Sequence, residues 1–169
     1  MGSRLDQTFS QLREDRRPGL VTYTTAGDPD LPRSAAILKA LDRAGADVLE
    51  VGVPFSDPLA DGPVIQRATE RALAAGSSLR ASLALIAEVR ADVQAPIVVF
   101  SYANPILRLG MEQFATQAAR AGVDGVLALD LPIEEAVAFR ETLAASGIDM
   151  IFLLSPTTTD ARIRRAAEL

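Results

Sequence analysis

The sequence predicts an α/β fold in which strands and helices alternate around a parallel sheet. Five short runs rich in β-branched and apolar residues are each followed by a segment with helical periodicity. Strands that alternate with helices form parallel sheets, because each helix returns the chain to the same end of the sheet. No low-complexity stretch or linker interrupts the alternation. The length of 169 residues allows a sizeable core, so we predict one domain over residues 1–169.

The elements are placed by local signals. Leu5, Phe9 and Leu12 recur at helical spacing, which predicts a short N-terminal helix over residues 3–15 that covers one end of the core. Strands are predicted at residues 19–25, 47–53, 96–102, 123–130 and 148–154. Helices are predicted after an N-cap at Asp30 and up to Ala44, and at residues 63–75, 79–89, 111–121, 133–146 and from 159. Asn104-Pro105 is predicted to turn the chain.

Composition excludes several functions. A net charge of −5 and a pI near 4.8 disfavour nucleic acid as a partner. The absence of cysteine and histidine removes disulfides, thiol nucleophiles and the commonest metal ligand, and the single lysine, Lys39, is predicted on the exposed side of a helix. No apolar run approaches the ~20 residues of a membrane span. No secretory signal is recognisable, so a cytoplasmic location is expected.

One predicted strand carries a carboxylate inside an apolar run. Glu50 lies between Leu49 and Val51, and strand alternation places it on the opposite face from both. If helices cover the face of Leu49 and Val51, Glu50 points into the space that the sheet encloses. An unpaired carboxyl there has a raised pKa, which suits a general acid and base. Asp61 supplies a second carboxylate where the following loop passes into a helix.

Five strand-helix units fit either an open, doubly wound sheet or part of a (β/α)₈ barrel, which typically has ~250 residues. Length favours the open sheet. The turn after the first strand, residues 26–30, is not a glycine-rich phosphate loop, and this favours the barrel. Polar residues also follow the predicted strands at the positions where barrel enzymes carry their active sites: Asp28, Asp57, Asp61, Tyr102, Asn104 and Asp130.

The segment Leu49–Gly62, LEVGVPFSDPLADG, resembles the signature segment of the tryptophan synthase alpha chain family at every position. The segments TTAGDP at 24–29, YANP at 102–105 and DLP at 130–132 fit the same family in the same order. The resemblance implies a TIM-type (β/α)₈ barrel with an extra N-terminal helix. This chain would carry about five of its βα units. Strands six to eight, with the family's phosphate-binding residues and its mobile loop, have no counterpart in this sequence.

The resemblance also implies a reaction. The family cleaves indole-3-glycerol phosphate to indole and glyceraldehyde 3-phosphate, a retro-aldol step of tryptophan biosynthesis. With Lys39 misplaced for a Schiff base and no histidine to help hold a metal, acid/base chemistry remains. The resemblance assigns proton transfers at the indole ring carbon and the glycerol hydroxyl to Glu50, and a hydrogen bond to the indole N–H to Asp61. It places these residues around the indole: Tyr23, Phe100, Tyr102, Leu127, Leu129 and Leu153.

A partner is implied as well. The family works as an αββα complex whose beta subunit holds pyridoxal phosphate, so no cofactor or metal is expected in this chain. The loop at residues 54–61 and the segment at 104–109 match the family's surfaces that meet that subunit.

Other interpretations remain open at this point. Glu50 could form an ion pair with an arginine across the barrel, Asp61 could N-cap the helix at Pro63, and the apolar pocket residues could be ordinary core. Asp28 is expected to be structural and Asp57 to be a loop turn residue. The chain could also be a stand-alone lyase that releases free indole, or a non-catalytic half barrel that binds a partner or self-associates through open sheet edges.

Overall fold

The computed structural model describes residues 2–169 and contains one parallel sheet with helices packed against it. Its strands are β1 (Val21–Thr25), β2 (Val48–Gly52), β3 (Ile97–Ser101), β4 (Gly125–Ala128) and β5 (Asp149–Ile151). Its helices are α1 (Arg4–Glu14), α2 (Leu31–Arg43), α3 (Pro63–Ala74), α4 (Leu79–Val89), α5 (Ala103–Leu109), α6 (Met111–Ala121), α7 (Val137–Ala145) and α8 (Asp160–Glu168). A 3₁₀ turn, Ile133–Glu135, precedes α7. Each strand pairs with its neighbour in sequence, in the order β1-β2-β3-β4-β5, which confirms the predicted alternation.

Several helices begin at residues whose side chains accept a hydrogen bond from the first helical turn. Ser3 and Asp6 form a reciprocal capping box at α1. Asp30 accepts a hydrogen bond from the backbone N–H of Arg33, as predicted for an N-cap. Ser78 caps α4 by accepting a hydrogen bond from the backbone N–H of Ala81. These caps satisfy backbone donors that the helix itself leaves free, so local sequence fixes where the helices start.

The two faces of the sheet have different neighbours. Leu49 and Val51 of β2 lie in a large apolar cluster with residues of the packed helices. On the other face, Val48, Val98 and Leu127 form a smaller cluster with Leu5 of α1. Leu5 of the N-terminal helix therefore packs against the inner face, and the predicted position of Glu50 on the face opposite Leu49 and Val51 is correct.

Several predicted boundaries are wrong, among them the start of α7 at Val137 instead of residue 133, and two of them have a clear structural reason. Asn104-Pro105 does not turn the chain, because both residues lie in the first turn of α5. Backbone N–H groups in the first turn have no partner within the helix, so a proline is tolerated there. The last strand ends at Ile151, not at residue 154. Among the described residues, β5 pairs only with β4, and this pairing ends at Ile151. The residues that follow therefore have no neighbouring strand with which to form hydrogen bonds.

No single helix among residues 2–169 has the length and apolar composition that a membrane crossing requires. The pair α3 and α4 passes the same test only when taken together, and it is bent by 90° at the short break between its two halves.

Candidate active site

Glu50 occupies the middle of β2, between Tyr23 of β1 and Val98 of β3 in the strand register. Its side chain is half-buried on the inner face and borders a cavity of about 460 Å³ beneath α1. Burial raises the pKa of the Glu50 carboxyl. Arg140 lines the same cavity, but no arginine among residues 2–169 forms a salt bridge with Glu50, so the alternative of an ion pair is wrong for the described part of the chain.

Asp61 ends the loop between β2 and α3. Its Oδ2 accepts a hydrogen bond from the hydroxyl of Tyr102 at 3.1 Å, and its backbone carbonyl accepts one from Nε2 of Gln66 at 2.8 Å. The residue at the N-cap of α3 is Gly62, and no side chain caps that helix. The alternative that Asp61 serves as the N-cap is therefore wrong, and its carboxylate instead faces the end of β3.

Tyr23 lies across the inner face next to both carboxylates. Its ring meets Phe100 edge-on, with centroids 5.4 Å apart and planes at 81°. Burial raises the pKa of the Tyr23 hydroxyl, and the nearby charges of Asp61 and Glu50 raise it further. Two predicted pocket residues thus form one aromatic wall beside the candidate acid/base pair.

The remaining predicted pocket residues divide into two groups. Leu127 is buried in the inner cluster, and Phe100 and Leu129 pack against that cluster on the same face as Glu50. Leu153 lies beyond the end of β5, is 62% exposed, and shares with Leu129 the lining of a cavity of about 220 Å³. The first group therefore lies on the same face as Glu50, and Leu153 meets it only through Leu129, at the end of the sheet.

Tyr102 lies just after β3, not within it. It precedes α5, is only 6% exposed, and packs its ring against Phe55 at 5.2 Å. Its hydroxyl accepts a hydrogen bond from the backbone N–H of Ala60 at 2.9 Å and donates to Asp61. Sequence patterns indicated none of these contacts, because they join a loop and a helix start 42 residues apart.

Other polar residues at the strand ends make structural contacts. Asp28 forms a bidentate pair with Arg71 at 2.7 and 2.8 Å, in agreement with its predicted structural role. Asp130 accepts a hydrogen bond from the backbone N–H of Ala103 at 2.6 Å and so caps α5. Lys39 pairs with Asp92 at 2.7 Å on the helical side of the sheet. The contacts of Asp28 and Asp130 stabilise turns that follow the strands, on the same edge of the sheet as Asp61.

Within residues 2–169, no three acidic side chains lie close enough together to hold a metal ion. The candidate acid/base groups beside the inner face include Glu50, Asp61 and the hydroxyls of Tyr23 and Tyr102.

Comparison with known proteins identifies the family. The family model described as tryptophan synthase alpha chain matches residues 9–169. The tryptophan synthase alpha chain of Geobacter sulfurreducens is 52% identical over 165 residues, which are 98% of this chain and 62% of that protein. The crystal structure of tryptophan synthase subunit alpha from Legionella pneumophila matches with a TM-score of 0.94 and 42% identity, covering 98% of this chain and 63% of that one. A structure of the tryptophan synthase α₂β₂ complex from Pyrococcus furiosus matches with a TM-score of 0.85 and 42% identity, covering 89% and 64%.

A parallel sheet in sequence order, with carboxylates in and after its second strand, defines a domain of the TIM-barrel class. Within that class, the chain belongs to the tryptophan synthase alpha chain family. It spans about 62% of the length of the curated relatives that it matches, and it carries five βα units of the barrel.

Proposed function

We propose that this chain supplies the acid/base groups for cleavage of indole-3-glycerol phosphate to indole and glyceraldehyde 3-phosphate. The observation that carries the proposal is the position of Glu50. It is a half-buried carboxyl on the inner face, without a cationic partner among the described residues and with a pKa raised by burial. Such a group holds a proton more readily than an exposed carboxyl and can still release it.

The proposed reaction needs one group that first gives and then takes a proton. Protonated Glu50 delivers its proton to the indole ring carbon that bears the glycerol chain. The resulting carboxylate then accepts the proton of the glycerol hydroxyl as the carbon–carbon bond breaks and the hydroxyl oxygen becomes an aldehyde. Both electrons of the broken bond return to the indole ring, and Glu50 is protonated again at the end of the cycle.

Asp61 has a different task in this proposal. Positive charge builds on the indole ring when its carbon is protonated, and a carboxylate that accepts a hydrogen bond from the indole N–H stabilises that charge. Tyr23, Phe100, Leu127 and Leu129 would hold the ring on the inner face, where they already lie together. Leu153 stays a predicted contact, since it lies outside this group.

We also propose a tryptophan synthase beta subunit as the partner, with no cofactor in this chain and pyridoxal phosphate only in that subunit. Leu59, in the loop after β2, is 92% exposed, and Leu107 of α5 is 54% exposed. A groove of about 440 Å³ near them is lined by residues that include Phe55 and Leu109. Exposed apolar side chains next to a groove are typical of a protein-binding surface.

A cytoplasmic location and a single domain are part of the same proposal.

The test is indole release from indole-3-glycerol phosphate by the purified 169-residue chain, with and without a beta subunit. Glu50→Gln should abolish release, and Glu88→Gln on the exposed side of α4 is the matched control. Release that persists in Glu50→Gln would exclude the proposed role of Glu50. Release that is unaffected by the beta subunit would favour a stand-alone lyase.

A further inference from the structure

The hydrogen bonds of the Tyr102 hydroxyl define the direction of its proton. The backbone N–H of Ala60 can only donate, so the hydroxyl oxygen is the acceptor of that 2.9 Å bond. A phenol carries one O–H proton, and the other neighbour of the oxygen is Oδ2 of Asp61 at 3.1 Å. An ionised carboxylate only accepts hydrogen bonds, so the proton of Tyr102 points at Asp61.

Both ends of this contact are held by other parts of the chain. Tyr102 is buried, its ring packs on Phe55, and the carboxylate of Asp130 fixes the next backbone N–H, that of Ala103. Asp61 is held by Gln66 at its carbonyl and by a turn in which its own N–H donates to the carbonyl of Pro58 at 3.1 Å. The backbone on either side is therefore set, and the tyrosine hydroxyl decides where the Asp61 carboxylate points.

We propose that Tyr102 is a positioning residue, whose hydroxyl holds Oδ2 of Asp61 so that Oδ1 meets the indole N–H of the substrate. This proposal rests on the proposed function and names a second task for a residue that the family resemblance placed in the pocket wall. Tyr102 has little exposed surface with which to contact a ligand, and its hydroxyl acts on the ligand through Asp61.

Tyr102→Phe keeps the ring that packs on Phe55 and removes only the hydroxyl. The control variant is Thr116→Val, which removes a hydroxyl that donates to the carbonyl of Glu112 within the exposed side of α6. A double-mutant cycle with Asp61→Ala then separates an effect through Asp61 from an effect on the pocket wall. The affinity for indole is measured for the natural chain, for each single variant and for the double variant.

We expect Tyr102→Phe to weaken indole binding by about tenfold in the natural background, the usual effect of losing a hydrogen bond to a charged group. In the Asp61→Ala background the same change should have no further effect, and Thr116→Val should bind as the natural chain does. An equal loss of indole affinity in both backgrounds would overturn the proposal, because Tyr102 would then contribute by direct contact with the ligand and not through Asp61.

A second measurement needs no ligand. The side-chain couplings of Asp61 in the nuclear magnetic resonance spectrum report whether its carboxylate keeps one rotamer, and exchange of the Ala60 amide reports the partner bond. Tyr102→Phe should average the Asp61 rotamer and speed exchange at Ala60. An unchanged rotamer overturns the positioning role. If the natural chain does not bind indole and the rotamer nevertheless averages, the proposed function fails and the positioning of Asp61 by Tyr102 stands.

Discussion

The ring of Tyr23 on β1 lies directly over Gly52 on β2, in space that any side chain at position 52 would occupy. A Cβ added to Gly52 would lie 2.5 Å from Cζ of Tyr23 and nearer still to its hydroxyl oxygen. The two residues are not register partners, since Gly52 lies opposite Thr25, so the tyrosine leans along the strand direction to reach it. The position of Tyr23 beside both carboxylates therefore depends on the missing side chain.

Gly52→Ala should displace Tyr23 and lower the free energy of unfolding by about 1–3 kcal/mol, as overpacking of a well-filled site does. It should also weaken indole binding, because Tyr23 and Phe100 would lose their edge-on contact. Urea denaturation and an indole titration measure the two effects. Gly62→Ala is the control, since a Cβ there meets no atom within 4 Å and its φ of −75° suits alanine. Equal stability of the two variants would contradict the packing argument.

Much of the fold could be predicted because its signals are local. Helix caps such as Asp30 and Ser78 and the face of β2 that carries Glu50 follow from a few neighbouring residues. The start of α5 could not be predicted, because the carboxylate that caps it, Asp130, lies 27 residues further along the chain. The same holds for the candidate site, where the resemblance supplied Asp61 but not the hydroxyl of Tyr102 that holds it.

The raised pKa of Glu50 makes stability depend on pH in a defined direction. The folded state binds the Glu50 proton more tightly than the unfolded chain, whose carboxyl has an ordinary value of 4.5. The stabilising contribution of this proton is complete below that value and is lost as the pH rises through the raised folded pKa. Glu50→Gln should therefore gain stability relative to the natural chain as the pH rises from 4.5 through the raised folded pKa, by about the size of this lost contribution.

Unfolding in urea at a series of pH values measures that difference. The surface substitution Glu88→Gln is the matched comparison, because it makes the same chemical change at an exposed position. A constant difference between Glu50→Gln and the natural chain across the pH range would show that Glu50 is not desolvated in the folded protein.

Asp47 should give the opposite pH dependence. Its carboxylate accepts hydrogen bonds from Arg17 and from the backbone N–H of Leu20, and these hold the pKa of Asp47 below its ordinary value of 3.8. The stability that this group contributes is present above pH 3.8 and is lost as the pH falls through the lowered folded pKa. Asp47→Asn should flatten the acid limb of the stability profile, and an unchanged acid limb would argue against the bonds.

Asp124 should be the most costly carboxylate to remove. It accepts hydrogen bonds from the backbone N–H of Ile97 at 2.8 Å, from Arg90 at 3.1 Å and from Arg4 of α1 at 3.1 Å. Burial already lowers the pKa of Arg90, so its charge needs this partner. Asp124→Ala should lower the free energy of unfolding by about 2–4 kcal/mol.

Thermal or urea unfolding checks this value. Arg162→Ala, which breaks the exposed pair of Arg162 with Glu134, should cost less than about 1 kcal/mol. If both variants lose the same small amount, the bonds of Asp124 with Ile97, Arg90 and Arg4 do not stabilise the fold as argued.

Because the strands pair in the order in which they are synthesised, the site can assemble while the chain is still leaving the ribosome. Glu50 needs β1 and β3 as its neighbours, and Asp61 needs the hydroxyl of Tyr102. All of these residues are present once position 102 has emerged. Glu50 can thus be placed by β1 and β3 alone, whereas the contact of Asp61 with Tyr102 is completed only after β4, when Asp130 fixes the backbone N–H of Ala103.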